Sequence, residues 1–420
     1  MQMIAEPPSP LRRVLLYAHD TYGLGHLRRN LAIAKYLLKT TAGLRVVLAS
    51  GSPVADRFDL PQGLSVVPLP TVVKMGVDDY RPLDPGLDPG VVRRARAAII
   101  ADVARRFDPD ILLVDHAPQG MKGELLPTFE TLRVHCPNTR IVLGLRDILD
   151  DEVTVQRTWR EQGVLDTLES VYDRVLVYGS RDVYDVVSRY GMPASVAART
   201  SFCGYLGREP AAPLIPQTLG FEPQARFVLG LAGGGGDGLA ALSAALEAAE
   251  RLGVASVLLT GPLMGRRDRL AVAHAVSRSR NGHILEFTSR PEGLIAAASA
   301  VVTMGGYNIL CELMAARVPT VVVPRIWPRR EQVLRAELFA QRGLLQLVHP
   351  GTGLASRLLP AIASALDRGV SQQPNIDLDG LPRVRGFLLH EAAMARRTRT
   401  QEMIQAASEA QSLSPLEAAR

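Results

Sequence analysis

The sequence predicts an α/β protein made of two parallel-sheet halves, and three observations carry that prediction. Short β-branched runs alternate with helix-length amphipathic stretches along most of the 420 residues, the pattern of right-handed βαβ units. One stretch, "GREPAAPLIPQTLGFEPQAR" (207–226), interrupts the alternation with four prolines and no periodicity, and it separates halves of similar size. Glycine, hydroxyl and charged residues gather where the apolar runs end, which is where open α/β sheets bind ligands.

Taken in order, strands are expected at 13–18, 44–50, 65–69, 110–115, 139–145 and 174–179, and a second series at 226–231, 255–260, 283–287, 300–304, 319–323 and 344–348. Helical patterns fill 25–39, 91–106, 121–135, 237–252, 308–316 and 331–342. The expected organisation is a first domain over 1–206, a linker over 207–225, a second domain over 226–382 and a polar C-terminal helix with a tail over 383–420.

Composition narrows the function classes. Hydrophobic residues make up 47% and charged residues 21%, enough to bury real cores. The three cysteines, Cys136, Cys203 and Cys311, form no Cys-x-x-Cys and no even framework, which points to a reducing, cytoplasmic setting. The N-terminus has no apolar core of signal-peptide length, and the longest weakly apolar stretch, 293–306, is too short to span a bilayer. The net charge of +6 is carried mostly by arginine. No aromatic-interleaved basic patch, zinc-finger spacing or RNA-binding signature accompanies it, so nucleic acid is not an expected partner. The segment "VVRRARAAIIADVARRF" sets Arg93, Arg94, Arg96, Arg105 and Arg106 among apolar residues. It reads as a solvated basic face or as peripheral contact with an anionic membrane.

At the strand ends of the first half stand His19, Asp115, His116, Arg146 and Asp147, candidates for an acceptor pocket or for loop-fixing hydrogen bonds. In the second half, "LAGGGGDG" contains G-x-G-x-x-G. The strand that should carry the ribose-binding acid of a dinucleotide fold ends instead in Leu259-Thr260-Gly261-Pro262, and no Gly-Lys-Ser/Thr follows, so neither an NAD fingerprint nor a P-loop is present. What remains is a glycine-lined helix N-terminus suited to a diphosphate, or a tight turn without a ligand. Further on, Gly305-Gly306 ends a strand and a helix starts near Tyr307-Asn308. Glu312 lies about a turn into it, placed to accept two ribose hydroxyls or to sit solvated on the helix face. Glu331-Gln332 open another helix, either as ligands or as its N-terminal caps.

This order of motifs resembles glycosyltransferase family 28, in particular a branch of predicted bacterial glycosyltransferases carrying "GLGHLRR". The family includes the enzyme that adds N-acetylglucosamine to the peptidoglycan lipid precursor. The resemblance implies the GT-B architecture: two Rossmann-like domains facing across a cleft, acceptor in the first and nucleotide sugar in the second. It implies that Gly233, Gly234 and Gly235 contact the donor diphosphate, with Arg208 as a phosphate-contacting arginine. It further implies Phe287 and Thr288 at the base, Glu312 at the ribose and Glu331 and Gln332 at the sugar. Gly305, Gly306 and Asn308 belong to the same donor motif. The first loop, "DTYGLGHLRR", lacks the longer glycine run of the peptidoglycan enzyme, which leaves the acceptor unassigned.

His26 matches the histidine of that first loop. A histidine there can take a proton from an acceptor hydroxyl, its pKa lying near working pH, or it can cap its own helix or bond across the turn. The function expected is transfer of a hexose or N-acetylhexosamine from a UDP-linked donor to a hydroxyl, with inversion and without a metal. No cofactor is expected beyond the nucleotide-sugar co-substrate. The acceptor is unknown, with a lipid-linked one placing the protein at the inner face of the membrane. The alternatives are a non-hydrolysing UDP-sugar 2-epimerase and a non-catalytic nucleotide-sugar-binding protein.

Overall fold

The computed structural model describes residue 9 and residues 11–20, 24–74, 79–215, 219–220, 226–369 and 375–413. Gly23 of the first glycine loop and part of the linker therefore lie outside the described residues. The first sheet contains β1 (Arg13–Tyr17), β2 (Arg45–Ser50), β3 (Leu64–Pro68), β6 (Ile111–Asp115), β7 (Arg140–Arg146), β8 (Arg174–Tyr178) and β9 (Thr200–Phe202). Strands β4 (Val72–Lys74) and β5 (Tyr80–Pro82) make a separate antiparallel pair. The order is β3-β2-β1-β6-β7-β8-β9, with every neighbour parallel. Its helices are α1 (Gly25–Thr40), α2 (Pro89–Phe107), α3 (Leu126–His135), α4 (Glu152–Glu161), α5 (Val164–Ser170), α6 (Val186–Arg189) and α7 (Ala194–Ala197).

The second sheet contains β10 (Phe227–Leu231), β11 (Ala255–Leu259), β12 (Gly282–Leu285), β13 (Ala300–Thr303), β14 (Thr320–Val322) and β15 (Gln346–Leu347), in the parallel order β12-β11-β10-β13-β14-β15. Around it lie α8 (Leu239–Arg251), α9 (Arg266–Ser277), α10 (Pro291–Ala297), α11 (Tyr307–Ala316), α12 (Glu331–Gln341) and α13 (Leu354–Arg368). The central strands β1, β6, β10 and β13 are buried along nearly their whole length, which is why they read as unbroken apolar runs rather than alternating ones.

Each sheet reverses direction of growth beside its first strand, between β1 and β6 and between β10 and β13. Such switch points open a crevice at the carboxyl ends of the strands. His19, Asp20 and Asp115 occupy the first crevice, and the 233–236 loop with Gly305-Gly306 occupies the second. Helices α1 and α11, which leave these crevices, bury Leu27, Leu31, Tyr307 and Leu310 in one apolar core shared by the two halves. The chain then returns: α14 (Gly380–Leu413) packs back on the first domain, with Arg174 Nε donating to Glu391 at 2.5 Å and Arg385 Nη2 to the Thr40 carbonyl at 2.9 Å.

Candidate active site

Helix α1 starts without a side-chain cap and without an acid in its first turn. His26 does not cap it. Instead His26 and Arg29, three apart and therefore on one helix face, both reach Asp115 at the end of β6. Nδ1 of His26 lies 2.6 Å from Asp115 Oδ2, and Arg29 donates Nε to Oδ1 at 2.7 Å and Nη2 to Oδ2 at 2.8 Å. With Asp115 ionised, the shorter contact to the carboxylate favours the tautomer that carries its proton on Nδ1 over one accepting from Arg29 Nη2, 3.1 Å away, and that tautomer leaves Nε2 as the acceptor. Burial works against ionisation of Asp115, but Arg29 and His26 outweigh it and hold its pKa at about 2.

The same burial corrects one expectation. The pKa of His26 does not lie near working pH: desolvation lowers it to about 4 despite Asp115, with Arg29 and Arg146 acting in the same direction as desolvation. The ring is neutral across the physiological range. His19 and His116 stand beside it, with ring centroids 5.5 and 5.2 Å from that of His26, and burial pushes both well below the ordinary histidine value. His116 has φ +70°, a left-handed conformation that a non-glycine residue adopts at a cost and that often marks a functional wall.

Beneath this wall lies a buried polar layer. Tyr17 donates its hydroxyl to Glu124 at 2.6 Å and lies 3.4 Å from His19 Nδ1, and Arg96 grips Glu124 with two bonds of 2.7 and 2.8 Å. Arg96 is thus wholly buried, not part of an exposed basic face, whereas Arg93, Arg94, Arg105 and Arg106 are exposed. Asp20 accepts from Ser50 at 2.5 Å, and burial raises its carboxyl to about 6.

The facing wall belongs to the second domain. The 233–236 loop folds back under itself: Gly235 has φ +100° and Gly261 φ +85°. A Cβ on Gly235 would lie 2.3 Å from the Thr260 carbonyl, and one on Gly261 2.5 Å from that of Gly233. Only glycine fits both positions. Helices α8 and α11 begin at Gly238 and Gly306 with no side-chain cap and no acid in the first turn, so their free N–H groups and dipoles favour an anion. Between the walls is a cavity of about 420 Å³, lined by His19, His26 and Arg146 on one side and by Gly233, Gly234, Gly235, Gly306, Asn308, Glu331 and Gln332 on the other.

Glu331 and Gln332 do not cap α12. Glu331 accepts from Arg325 Nη2 at 2.9 Å, and the Gln332 side-chain oxygen accepts from the Arg325 backbone at 3.0 Å. Burial opposes ionisation of Glu331, but Arg146 and Arg325 prevail and its pKa is lowered.

Other expected residues serve the join between domains. Asp147 does not line the cavity: it receives Nε and Nη2 of Arg335 at 2.8 and 2.7 Å, both side chains almost fully buried. Asn308 donates to the Gly25 carbonyl at 2.6 Å. Glu312 is not a solvated helix-face residue but is buried between Arg28, at 2.7 and 2.8 Å, and Arg208, at 2.8 Å. Arg28 and Arg208 also line a second groove of about 850 Å³ with Phe58, Ser289 and Glu292. Phe287 packs edge-on against Phe58 at 5.6 Å, and Thr288 accepts from the Arg290 backbone at 3.2 Å; neither lines the cavity between the glycine loop and His26. Arg28, Arg29, Tyr80, Arg325 and Arg329 also line or brace that cavity and were not read as site residues. Only Arg29 gave a usable signal, its i,i+3 spacing from His26.

Among the described residues, no group of three or more His, Cys, Asp or Glu side chains is arranged to hold a metal ion, and no helix is long and apolar enough to cross a membrane.

Comparison with known proteins agrees with this geometry. Residues 234–373 match the glycosyltransferase family 28 C-terminal domain. No curated protein matches the chain by sequence. Among solved structures, the chain is similar to CalG4, the calicheamicin glycosyltransferase, at 15% identity and a TM-score of 0.53, covering 94% of this chain and 98% of that one. It is similar to MurG of Acinetobacter baumannii at 14% identity and a TM-score of 0.50, covering 95% and 99%. It is also similar to the UDP-GlcNAc 2-epimerase of Methanocaldococcus jannaschii at 12% identity and a TM-score of 0.57, covering 90% and 99%. The chain therefore has the GT-B fold, and its second domain is similar to the glycosyltransferase family 28 C-terminal domain over residues 234–373.

Proposed function

We propose that this protein transfers a hexose or N-acetylhexosamine from a UDP-linked donor to a hydroxyl acceptor, with inversion and without a metal ion. The observation that carries the proposal is the His26–Asp115 contact of 2.6 Å on one wall of a cavity whose other wall is an uncapped helix N-terminus and a glycine loop.

The chemistry follows from that pairing. Neutral His26 accepts the hydroxyl proton at Nε2 while Asp115 stabilises the imidazolium that forms. The acceptor oxygen attacks the anomeric carbon, and the bond to the diphosphate breaks with its electron pair passing to the phosphate oxygen. N–H groups of the 233–235 loop and the α11 N-terminus receive that charge, the work a divalent ion would otherwise do. Arg208 would join them on leaving Glu312, which would then be free for the ribose. The base would extend toward the groove past Phe58 and Ser289.

Cytoplasmic placement is part of the same reading, since nucleotide sugars are cytoplasmic substrates. A lipid-linked acceptor would add contact with the inner face of the membrane.

The test is product analysis after incubation with UDP-glucose and UDP-N-acetylglucosamine, preceded by thermal shift with UDP in the absence of magnesium. A UDP-dependent rise in melting temperature and a glycoside product are expected. A 2-epimer of the nucleotide sugar would assign the epimerase chemistry instead. Binding without either product would leave a nucleotide-sugar-binding protein, and a melting curve unmoved by UDP, TDP and GDP conjugates would overturn the donor reading.

A further inference from the structure

The arginines around the cleft can be matched to acids one by one. Arg29 is matched to Asp115, Arg335 to Asp147, Arg28 and Arg208 to Glu312, and Arg325 to Glu331 and Asp237. Arg146 and Arg329 remain. Among the described residues neither has a carboxylate within ion-pair distance. Among the described residues the buried Nε of Arg146 has no hydrogen-bond partner, and the hydrogen-bond contact of Arg329 is to His116, its Nη1 lying 3.4 Å from Nε2. Arg146 stands among Arg29, Arg335, Arg329, His26, His116 and Glu331, and Glu331, the acid of that group, already bonds Arg325. Both side chains are only partly exposed, and a guanidinium partly withdrawn from water without a counter-charge carries a cost that an acidic ligand would relieve.

Position says which ligand. His19, Tyr80, His116 and Arg329 line the cleft cavity and also a cavity of about 500 Å³ that runs into the first domain toward Trp159. The two unmatched cations stand near that junction, Arg146 on the rim of the first sheet and Arg329 beside His116. The diphosphate-binding features lie across the cleft, at the glycine loop and the α11 N-terminus.

We propose that the acceptor carries an acidic group, a carboxylate or a phosphate, held by Arg146 and Arg329 where the first-domain cavity opens into the cleft. The inference rests on the transferase reading above and deepens it. The acceptor reaches His26 through the first-domain cavity, and the acid fixes which of its hydroxyls faces the open nitrogen of that ring. Specificity for charge is then set by one arginine from each domain, Arg146 and Arg329, apart from the glycine loop and the α11 N-terminus.

The test uses the full chain saturated with UDP, at constant ionic strength, with glucose, glucuronate, glucose 6-phosphate and inorganic sulfate as probes in thermal shift and calorimetry. Glucuronate or glucose 6-phosphate should bind where glucose does not, and the difference between those two identifies the acid. Arg146→Gln and Arg329→Gln should each weaken that binding about tenfold or more, the scale of a lost charge-assisted hydrogen bond, with UDP affinity unchanged. Arg329 is partly exposed on a loop, so its variant keeps the test valid if Arg146→Gln folds poorly. Equal binding of glucose and its acidic forms would overturn the proposal. So would sulfate binding as well as glucuronate, undiminished binding in both variants, or loss of UDP affinity in them. Should UDP itself fail to bind, the donor reading falls, and the same contrast on the unliganded protein still decides whether an acidic sugar site exists.

Discussion

A base at pH 7 must be neutral there, and the burial of His26 makes that requirement measurable without an acceptor. Unfolded, a histidine titrates near 6.5; in the folded protein burial lowers His26 to about 4. Between those values the unfolded chain binds a proton that the folded chain does not, so stability is fully present above about pH 6.5 and falls as pH drops toward 4. From pH 7 to pH 5 the loss from this one group is about 2 kcal/mol. Asp20 acts in the opposite sense. Its carboxyl, raised to about 6, takes up a proton in the folded state over the same interval and restores about 1 kcal/mol. His19 and His116, both lowered by burial, add to the loss. Urea unfolding of wild type and His26→Gln at pH 7 and pH 5 reads the difference directly. The variant should lose about 2 kcal/mol less on acidification, and Asp20→Asn should lose about 1 kcal/mol more than wild type. Transferase turnover should stay level from pH 8 to pH 5. An acid loss identical in His26→Gln and wild type would mean that the folded ring titrates near 6.5, and the argument for a permanently neutral base would fail.

Three further outcomes follow from the cleft. Asp147→Asn leaves Arg335 buried without its counter-charge and should cost about 3–5 kcal/mol in urea unfolding, while UDP-induced stabilisation persists; an unchanged midpoint would remove the pair from the domain join. Gly235→Ala would put a methyl 2.3 Å from the Thr260 carbonyl, so UDP should no longer raise the melting temperature of the folded variant, and a normal shift would show that the loop does not hold the diphosphate. Glu312→Gln should weaken UDP binding about tenfold or more in calorimetry if the carboxylate serves the ribose, whereas tighter binding would mean that the carboxylate serves mainly to lock Arg28 and Arg208.

The sheets were legible because their central strands are buried on both faces and read as continuous apolar runs. The edges were not: β9, the β4–β5 pair and helices such as α9 and α13 carry shorter or more polar signals, and Pro360 inside α13 obscures its periodicity. Rim residues were legible from strand order alone. Their partners were not, since Arg28 and Glu312 are 284 positions apart and Asp147 and Arg335 are 188 apart. One misreading had a visible remedy. Val92, Arg96, Ile100 and Ala104 recur every four residues and are the buried face of α2, so Arg96 belongs to the apolar stripe and its partner, Glu124, to the interior.

The first turn and a half of α1 also joins the proposed base to the second domain. Gly25 receives Asn308, His26 and Arg29 hold Asp115, and Arg28 holds Glu312. Four near-consecutive residues thus contact both the His26–Asp115 assembly and two residues of α11, Asn308 and Glu312. A nucleotide that takes Glu312 for its ribose must displace Arg28, and Arg28 is rigidly coupled through the helix backbone to His26, two residues earlier. The coupling needs no separate switch. On the proposed reading, a donor seated at α11 would act on the same helix that carries the imidazole.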